Sequence, residues 1–103
     1  MSEVRFRKSA QRDVQDAFDY LEAQSPGLGA EFLERVEDAT DRIARNPEQY
    51  QTVFRDVRRA PIARFKHSLW YRILPDHSVV IACLSERRDP GIARRRSFEV
   101  EPS

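Results

Sequence analysis

The sequence predicts a small α+β domain in which a helical hairpin packs on a mostly antiparallel sheet. Two long segments in the first half carry apolar residues at helical spacing, which predicts the two helices. Two strand patterns after residue 62 are joined by a short break, which predicts an antiparallel pair. The predicted element order is β-α-α-β-β-β. The 103 residues suit one domain, so we expect a single domain over 1–103, with residues 98–103 as a flexible tail.

The first predicted elements are a short strand and a long helix. Val4 and Phe6 alternate with charged residues, as in a strand with one buried face. Ser9 stands where a helix N-cap would, with a hydroxyl that can accept a free backbone N–H, and the helix is predicted over about residues 9–24. Its apolar stripe is expected to face the core, while the charged residues mostly face another side: Arg12, Asp13, Asp16 and Asp19.

The second predicted helix covers about residues 29–46 and follows a Ser-Pro-Gly-Leu-Gly breaker. It is expected to stop at Asn46, because a residue before proline avoids the α region. The short connection between the two helices predicts an antiparallel hairpin, and the apolar stripes of both helices are expected to form core. Residues 48–56 are predicted to be irregular, with two aromatic residues holding the loop to the core: Tyr50 and Phe54.

Three strands are predicted in the second half of the chain. Residues 57–62 form a weak strand pattern, which Pro61 places at an edge or a bend. Residues 63–73 alternate at period two, which puts Trp70 on one face and the following residues on the other: Phe65, His67, Leu69, Tyr71 and Ile73. The continuous apolar run 79–84 fits a central strand covered on both faces, with Cys83 as a small buried hydrophobe.

Charge is distributed unevenly along the chain. Residues 1–54 hold 7 basic and 11 acidic residues, whereas residues 55–98 hold 11 basic and 4 acidic residues. Sixteen of the 18 basic residues are arginine, whose planar fork of donors suits carboxylates and phosphates. The second half is therefore expected to meet an acidic partner; the alternative is a charged surface that only keeps the domain soluble. Residues 92–100 are predicted as a last helical turn or a frayed tail, with three solvated arginines: Arg94, Arg95 and Arg96.

Composition also limits the class of protein. The longest apolar run is far shorter than the roughly 18 residues of a membrane span, and the N-terminus lacks the apolar region of a signal peptide. The single cysteine excludes an internal disulfide and a cysteine-based zinc site. We therefore expect a cytoplasmic protein without a membrane, metal or cofactor interaction.

Short motifs follow one another from Val4 to Pro90 in a characteristic order: Pro26-Gly27-Leu28-Gly29, Phe32-Leu33, Asn46-Pro47, Val57-Arg58-Arg59, Arg64-Phe65, Leu69-Trp70-Tyr71 and Arg87-Arg88-Asp89-Pro90. Together they resemble the ParE branch of the ParE/RelE superfamily of toxins from bacterial toxin–antitoxin pairs. The chain departs from that pattern at Ser85, where a histidine is common, at Glu86, where a glycine is frequent, and at Lys66, where a proline often stands.

The resemblance implies a toxin that is neutralised by a cognate antitoxin protein in a hetero-oligomer. ParE-like toxins typically inhibit DNA gyrase by binding, so gyrase is the expected target and no catalytic residue is assigned. The first alternative is a RelE-like endoribonuclease that cuts mRNA on the ribosome, and the second is a degenerate member that only binds its antitoxin. His67 and His77 are expected to be structural rather than catalytic.

Two sets of interaction residues are predicted. The expected target contacts are basic residues of the second half and one neighbouring carboxylate: Arg58, Arg59, Arg64, Arg87, Arg88 and Asp89. The expected antitoxin contacts are apolar residues of the helices and one strand: Val14, Phe18, Leu21, Phe32, Val36 and Trp70. Trp70 either covers the second side of a sandwiched sheet or, if exposed, anchors a partner. Direct sequence-specific binding of nucleic acid is not expected, because base-reading motifs and interleaved exposed aromatic residues are absent from the sequence.

Overall fold

Five strands form one sheet in the computed structural model, which describes residues 1–99. The elements in chain order are β1 Val4–Phe6, α1 Lys8–Gln24, α2 Leu28–Arg45, a 3-10 turn Pro47–Gln49, β2 Thr52–Phe54, β3 Val57–Ile62, β4 His67–Ile73, β5 Ser78–Ser85 and α3 Gly91–Arg96. The strands lie side by side in the order β1-β5-β4-β3-β2. Only the β1–β5 pair is parallel, so the predicted mostly antiparallel α+β fold is confirmed.

The structure corrects the predicted start of the first helix. Arg7 is the residue before α1, in an extended conformation with ψ 152°, and its N–H donates to the carbonyl of Val80. Ser9 lies inside the first turn, and its hydroxyl donates to the carbonyl of Ile81 over 3.4 Å. The prediction of Ser9 as N-cap is therefore wrong, because the strand-to-helix turn is held by the sheet instead of by a side-chain cap.

A carboxylate on α1 holds the start of α2. The N–H groups of Gly27 and Gly29 donate to the carboxylate of Glu22 over 2.8 and 2.9 Å. These backbone hydrogen bonds, with that of Gly27 the largest cause, lower the pKa of Glu22. Gly27 adopts φ +91°, a left-handed conformation that favours glycine. The predicted helical hairpin is confirmed, and α2 ends at Arg45, immediately before Asn46.

The region predicted to be irregular contains a strand. β2 pairs with β3 through a two-residue turn in which Arg55 has φ +49°. Phe54 and Tyr50 pack against the core, as predicted. The pattern that predicted a strand from residue 63 is too long, because residues 63–66 form a turn in which Arg64 has φ +72°. Beyond Arg58 the outer edge of β3 is not paired with β2, so Pro61 stands on an open edge, as the sequence predicted.

The sheet separates two apolar cores, and β5 contributes to both. The first core lies under α1 and α2, and its fully buried members include Phe32, Ile43 and Leu69. The second core lies under α3 and includes Trp70, Ile81 and Ala93. Trp70 pairs with Ala82 and the next residue pairs with Val80, so Ile81 is the extra residue of a β-bulge. The prediction of a central strand covered on both faces is confirmed.

The C-terminal segment is helical where the structure describes it. The predicted last helical turn corresponds to α3, Gly91–Arg96. The predicted flexible tail lies outside the described residues from position 100 onward. Within residues 1–99, no helix has the length and apolar character needed to cross a membrane.

Two neighbouring residues of α2 provide a test of this fold. Phe32 is fully buried and contacts Phe65 edge to face, whereas Leu33 is 41% exposed. We expect Phe32→Ala to lower the free energy of unfolding by about 3–5 kcal/mol, because the cavity forms inside the core. The matched control Leu33→Ala is expected to cost less than about 1 kcal/mol. Urea unfolding followed by circular dichroism measures both, and equal losses would contradict the assigned helix orientation.

Candidate functional site

A tight loop follows β5 and fixes the arginine pair predicted as a target contact. The N–H of Arg88 donates to the carbonyl of Ser85 over 3.0 Å, which closes a turn around Arg87. Asp89 accepts the N–H of Gly91 over 2.9 Å and leads into α3. The side chains of Arg87 and Arg88 border different grooves, so this loop separates the pair between two surfaces.

One of these surfaces, here the sheet groove, crosses the face of the sheet on the α3 side. Its lining includes Arg59, Ser68, Trp70, Leu84, Arg88 and Pro90. Trp70 is only 6% exposed, because Phe54 and the guanidinium of Arg59 lie close to its ring. The tryptophan is therefore the second side of a sandwiched sheet, which is the first of its two predicted roles.

The other surface, here the helix groove, lies between α1 and the ends of β4 and β5. Its lining includes Asp16, Tyr20, Lys66, His67, Glu86 and Arg87. The ring of His67 contacts Phe32 edge to face at 5.1 Å between centroids, and its Nδ1 is buried without a hydrogen-bond partner among the described residues. Burial lowers the pKa of His67 from its ordinary value of 6.5, so its neutral form is favoured.

The six predicted target contacts do not form one cluster. Arg59 and Arg88 share the sheet groove, whereas Arg87 belongs to the helix groove. The guanidinium of Arg58 donates to the backbone carbonyls of Glu48 and Tyr50, which holds the loop before β2. The last two have partners elsewhere: Arg64 forms an ion pair with Glu31 over 3.2 Å, and the Asp89 carboxylate accepts the N–H of Gly91.

The six predicted antitoxin contacts lie on or beneath the helical hairpin, apart from the tryptophan. Three of them are partly buried: Val14, Phe18 and Leu21. Phe18 closely approaches Gly29, where a Cβ would meet its ring at 2.7 Å. The other three are buried, with exposed fractions of 0%, 7% and 6%: Phe32, Val36 and Trp70. The helix stripes are thus core, as predicted.

No local sequence pattern indicated the ion pair that joins α1 to α3. Asp13 and Arg96 meet at 2.6 Å, and their side chains are only 10% and 17% exposed. The prediction that Arg96 belongs to a solvated tail is wrong, as is the placement of Asp13 on a solvent-facing side of α1. The two partners are 83 positions apart in the sequence, so no local periodicity relates them.

Other ionisable groups with a shifted pKa are buried within the fold. Burial raises the pKa of the Cys83 thiol and of the Tyr71 phenol to about 12 in each case. The Tyr71 hydroxyl donates to the carbonyl of Pro47. Both groups therefore stay protonated near neutral pH. Among residues 1–99 no group of three His, Cys, Asp or Glu side chains is arranged to hold a metal ion.

Comparison with known proteins gave a family match and a structural match. A family model described as ParE toxin of type II toxin-antitoxin system, parDE, matches residues 4–90. A solved chain from the chromosomal ParDE toxin–antitoxin system of P. aeruginosa superposes with a TM-score of 0.73 at 12% sequence identity, covering 82% of this chain and 96% of that chain. At that identity the superposition supports the fold alone. No curated protein sequence matches significantly.

The ion pair between Asp13 and Arg96 predicts a specific loss of stability. Asp13→Ala leaves a largely buried guanidinium without its carboxylate, so we expect the free energy of unfolding to fall by about 2–3 kcal/mol. The matched control is Asp16→Ala, one turn further along α1 and exposed, with an expected change within about 0.5 kcal/mol. Urea unfolding measures both variants, and a neutral Asp13→Ala would contradict the structural role of the pair.

The burial of His67 predicts a pH dependence of stability. Its pKa is lower in the folded state than in the unfolded state, so its contribution is present above pH 6.5 and is lost as pH falls through the folded pKa. We expect His67→Gln to flatten the fall in unfolding free energy between about pH 7 and 5. An identical slope for the variant and the wild-type protein would contradict the assignment.

Proposed function

Because this chain belongs to the ParE toxin family of type II toxin–antitoxin systems, we propose that it is held inactive by a cognate antitoxin and acts by binding and inhibiting DNA gyrase. The observation that carries the proposal is the extent of the family match. It spans residues 4–90, which include the helical hairpin, all five strands and the loop after β5. The action of such a toxin on gyrase places it in the cytoplasm.

The burial and protonation of the ionisable side chains support inhibition by binding. The Cys83 thiol and the Tyr71 phenol are buried with raised pKa values, so neither is a ready nucleophile or base near neutral pH. The ring of His77 is hydrogen-bonded to its neighbour Asp76 over 2.7 Å. By contrast, Arg87 and Arg88 are exposed on a short, hydrogen-bonded loop, as a rigid contact with a protein target requires.

We propose that the antitoxin covers the helical hairpin. Val14, Phe18 and Leu21 are partly exposed there, and Tyr20 and Leu33 are exposed at 65% and 41%. An amphipathic segment can bury such a surface with its apolar face. Two buried members of the predicted set, Phe32 and Val36, would then support this surface from below. Trp70 belongs to the second core on the opposite face of the sheet and is not part of this surface.

One observation favours a ribonuclease as the second candidate. The helix groove brings His67 together with Lys66 and Arg87. A histidine that is neutral near pH 7 can act as a base, and the two cations could stabilise the negative charge of a phosphorane. His67, Lys66 and Arg87 are therefore residue types that can supply the base and the cations for RNA cleavage, although the Nδ1 atom of His67 is buried.

The two candidates are separated by paired assays on the toxin freed from its antitoxin. We expect the wild-type protein to inhibit ATP-dependent supercoiling by purified gyrase and to leave mRNA intact in a cell-free translation extract. Arg87→Ala with Arg88→Ala should raise the inhibitory concentration about tenfold or more, because two exposed charges lose their partners on the target.

The matched control for these assays is Arg12→Ala with Arg45→Ala, which removes the same charge from the exposed face of the helical hairpin. It should inhibit gyrase as the wild type does. Cut mRNA with normal supercoiling would overturn the gyrase proposal in favour of the ribonuclease. Inactivity in both assays would favour a degenerate member that only binds its antitoxin.

A further inference from the structure

Three arginines line two neighbouring grooves beside α3. The sheet groove contains Arg59 and Arg88, and the neighbouring groove contains Phe54 and Arg94. Pro90 lines both grooves, so they lie next to each other. We use the name arginine trough for the two grooves taken together, defined by Arg59, Arg88, Arg94, Phe54, Trp70 and Pro90.

Aromatic rings position two of these arginines. The guanidinium carbon of Arg59 lies 5.7 Å from the centroid of the Trp70 ring, and that of Arg94 lies 5.3 Å from the Phe54 ring. A third pair involves Arg55 at the tip of the β2–β3 turn, whose guanidinium carbon lies 4.2 Å from the centroid of the Phe98 ring. An interaction over an aromatic ring occupies the flat face of a guanidinium and leaves its N–H donors available at the edge.

The donors in the trough are not used within the described part of the chain. The guanidinium groups of Arg59, Arg88 and Arg94 form no ion pair or hydrogen bond with any of residues 1–99, although the Arg94 carbonyl accepts the Ser97 hydroxyl. Other arginines of the fold do have such partners: Arg58 with backbone carbonyls, Arg64 with Glu31, and Arg96 with Asp13. Two acidic residues also line the trough, Glu86 in the sheet groove and Asp89 in the neighbouring groove, and the Asp89 carboxylate accepts the N–H of Gly91.

We propose that the arginine trough binds the phosphodiester backbone of nucleic acid without reading its sequence. The planar fork of arginine matches two phosphate oxygens, and a fork already placed against a ring loses little freedom on binding. Phosphate contacts carry no base information, which agrees with the absence of base-reading motifs from the sequence. The proposal goes beyond gyrase inhibition and holds whether or not gyrase is the target.

The covering of the aromatic rings favours nucleic acid over an acidic peptide. A peptide in a groove gains much of its affinity from apolar anchors that enter pockets. Here the Trp70 ring is only 6% exposed and lies close to Arg59, while Arg94 lies over Phe54. Guanidinium groups therefore lie against the two rings and present several N–H donors, as a repeating phosphate chain requires.

The test measures binding of the toxin alone to fluorescein-labelled DNA of about 20 base pairs, by fluorescence anisotropy at several salt concentrations. Three phosphate contacts predict that affinity for duplex DNA falls roughly 40-fold between about 50 and 200 mM salt. Single-stranded DNA and RNA of the same length form separate arms, which identify the kind of nucleic acid bound. A labelled poly-glutamate peptide forms the acidic-protein arm.

Two triple variants with the same change of charge separate a defined surface from general attraction. Replacing Arg59, Arg88 and Arg94 with alanine should weaken binding at low salt at least about tenfold. Replacing Arg12, Arg42 and Arg45 with alanine removes three exposed arginines from the helical hairpin and should change affinity less than about threefold. Circular dichroism confirms that each variant is folded.

Chemical-shift mapping of the wild-type protein gives a second measurement that needs no variant. On titration with DNA, the shifted amides should lie in residues 52–62 and 85–96 and not in α1 or α2. The proposal is overturned if no nucleic acid binds at low salt, if both triple variants lose affinity equally, if the shifts lie on the helices, or if poly-glutamate binds more tightly than nucleic acid. Gyrase inhibition that persists without DNA binding would overturn this inference alone.

Discussion

The ion pair between Asp13 and Arg96 satisfies an edge of the central strand β5 that no strand within residues 1–99 covers. β1 has three residues and pairs with β5 only from Ser78 to Val80. Beyond that point the bulged Ile81 directs its carbonyl to the Arg96 guanidinium over 2.9 Å, and the N–H of Cys83 donates to Asp13 over 3.0 Å. Unpaired backbone groups in a buried strand would lower the free energy of unfolding, and this ion pair supplies the hydrogen-bond partners for these two groups.

The same pair determines where α3 lies. Arg96 belongs to α3 and Asp13 to α1, so their contact brings the two helices together at one edge of β5. Arg7 adds a hydrogen bond of 2.7 Å from its guanidinium to the carbonyl of Arg96. With α3 held there, Ala93 is buried beside Trp70 and the second core closes. The polar contacts of α3 thus hold this helix against the sheet. The sheet is the middle layer, with the helical hairpin on one face and α3 on the other.

The loop that leads from β5 into α3 borders both candidate surfaces. The loop from Ser85 to Pro90 is short, because it must connect the end of β5 directly to α3. Its tight turn directs Arg87 towards the helix groove and Arg88 towards the sheet groove. Arginines of this chain therefore serve two purposes. Arg58 and Arg96 hold backbone groups within the fold, whereas Arg59, Arg88 and Arg94 offer their donors to a partner.

The sequence by itself determined the elements whose signals are local. Period-two alternation and the apolar run from 79 to 84 placed β4 and β5 with their buried faces, and the residue before Pro47 marked the end of α2. Only the tertiary structure decided which charged residues are buried and which arginines share a surface. Asp13 pairs with Arg96, and Arg59 shares a groove with Arg88, across long stretches of chain. Both arrangements therefore depend on strand order, the bulge at Ile81 and the docking of α3. Local periodicity carries no information about such contacts, because it records the face on which a residue lies and not the element that covers that face.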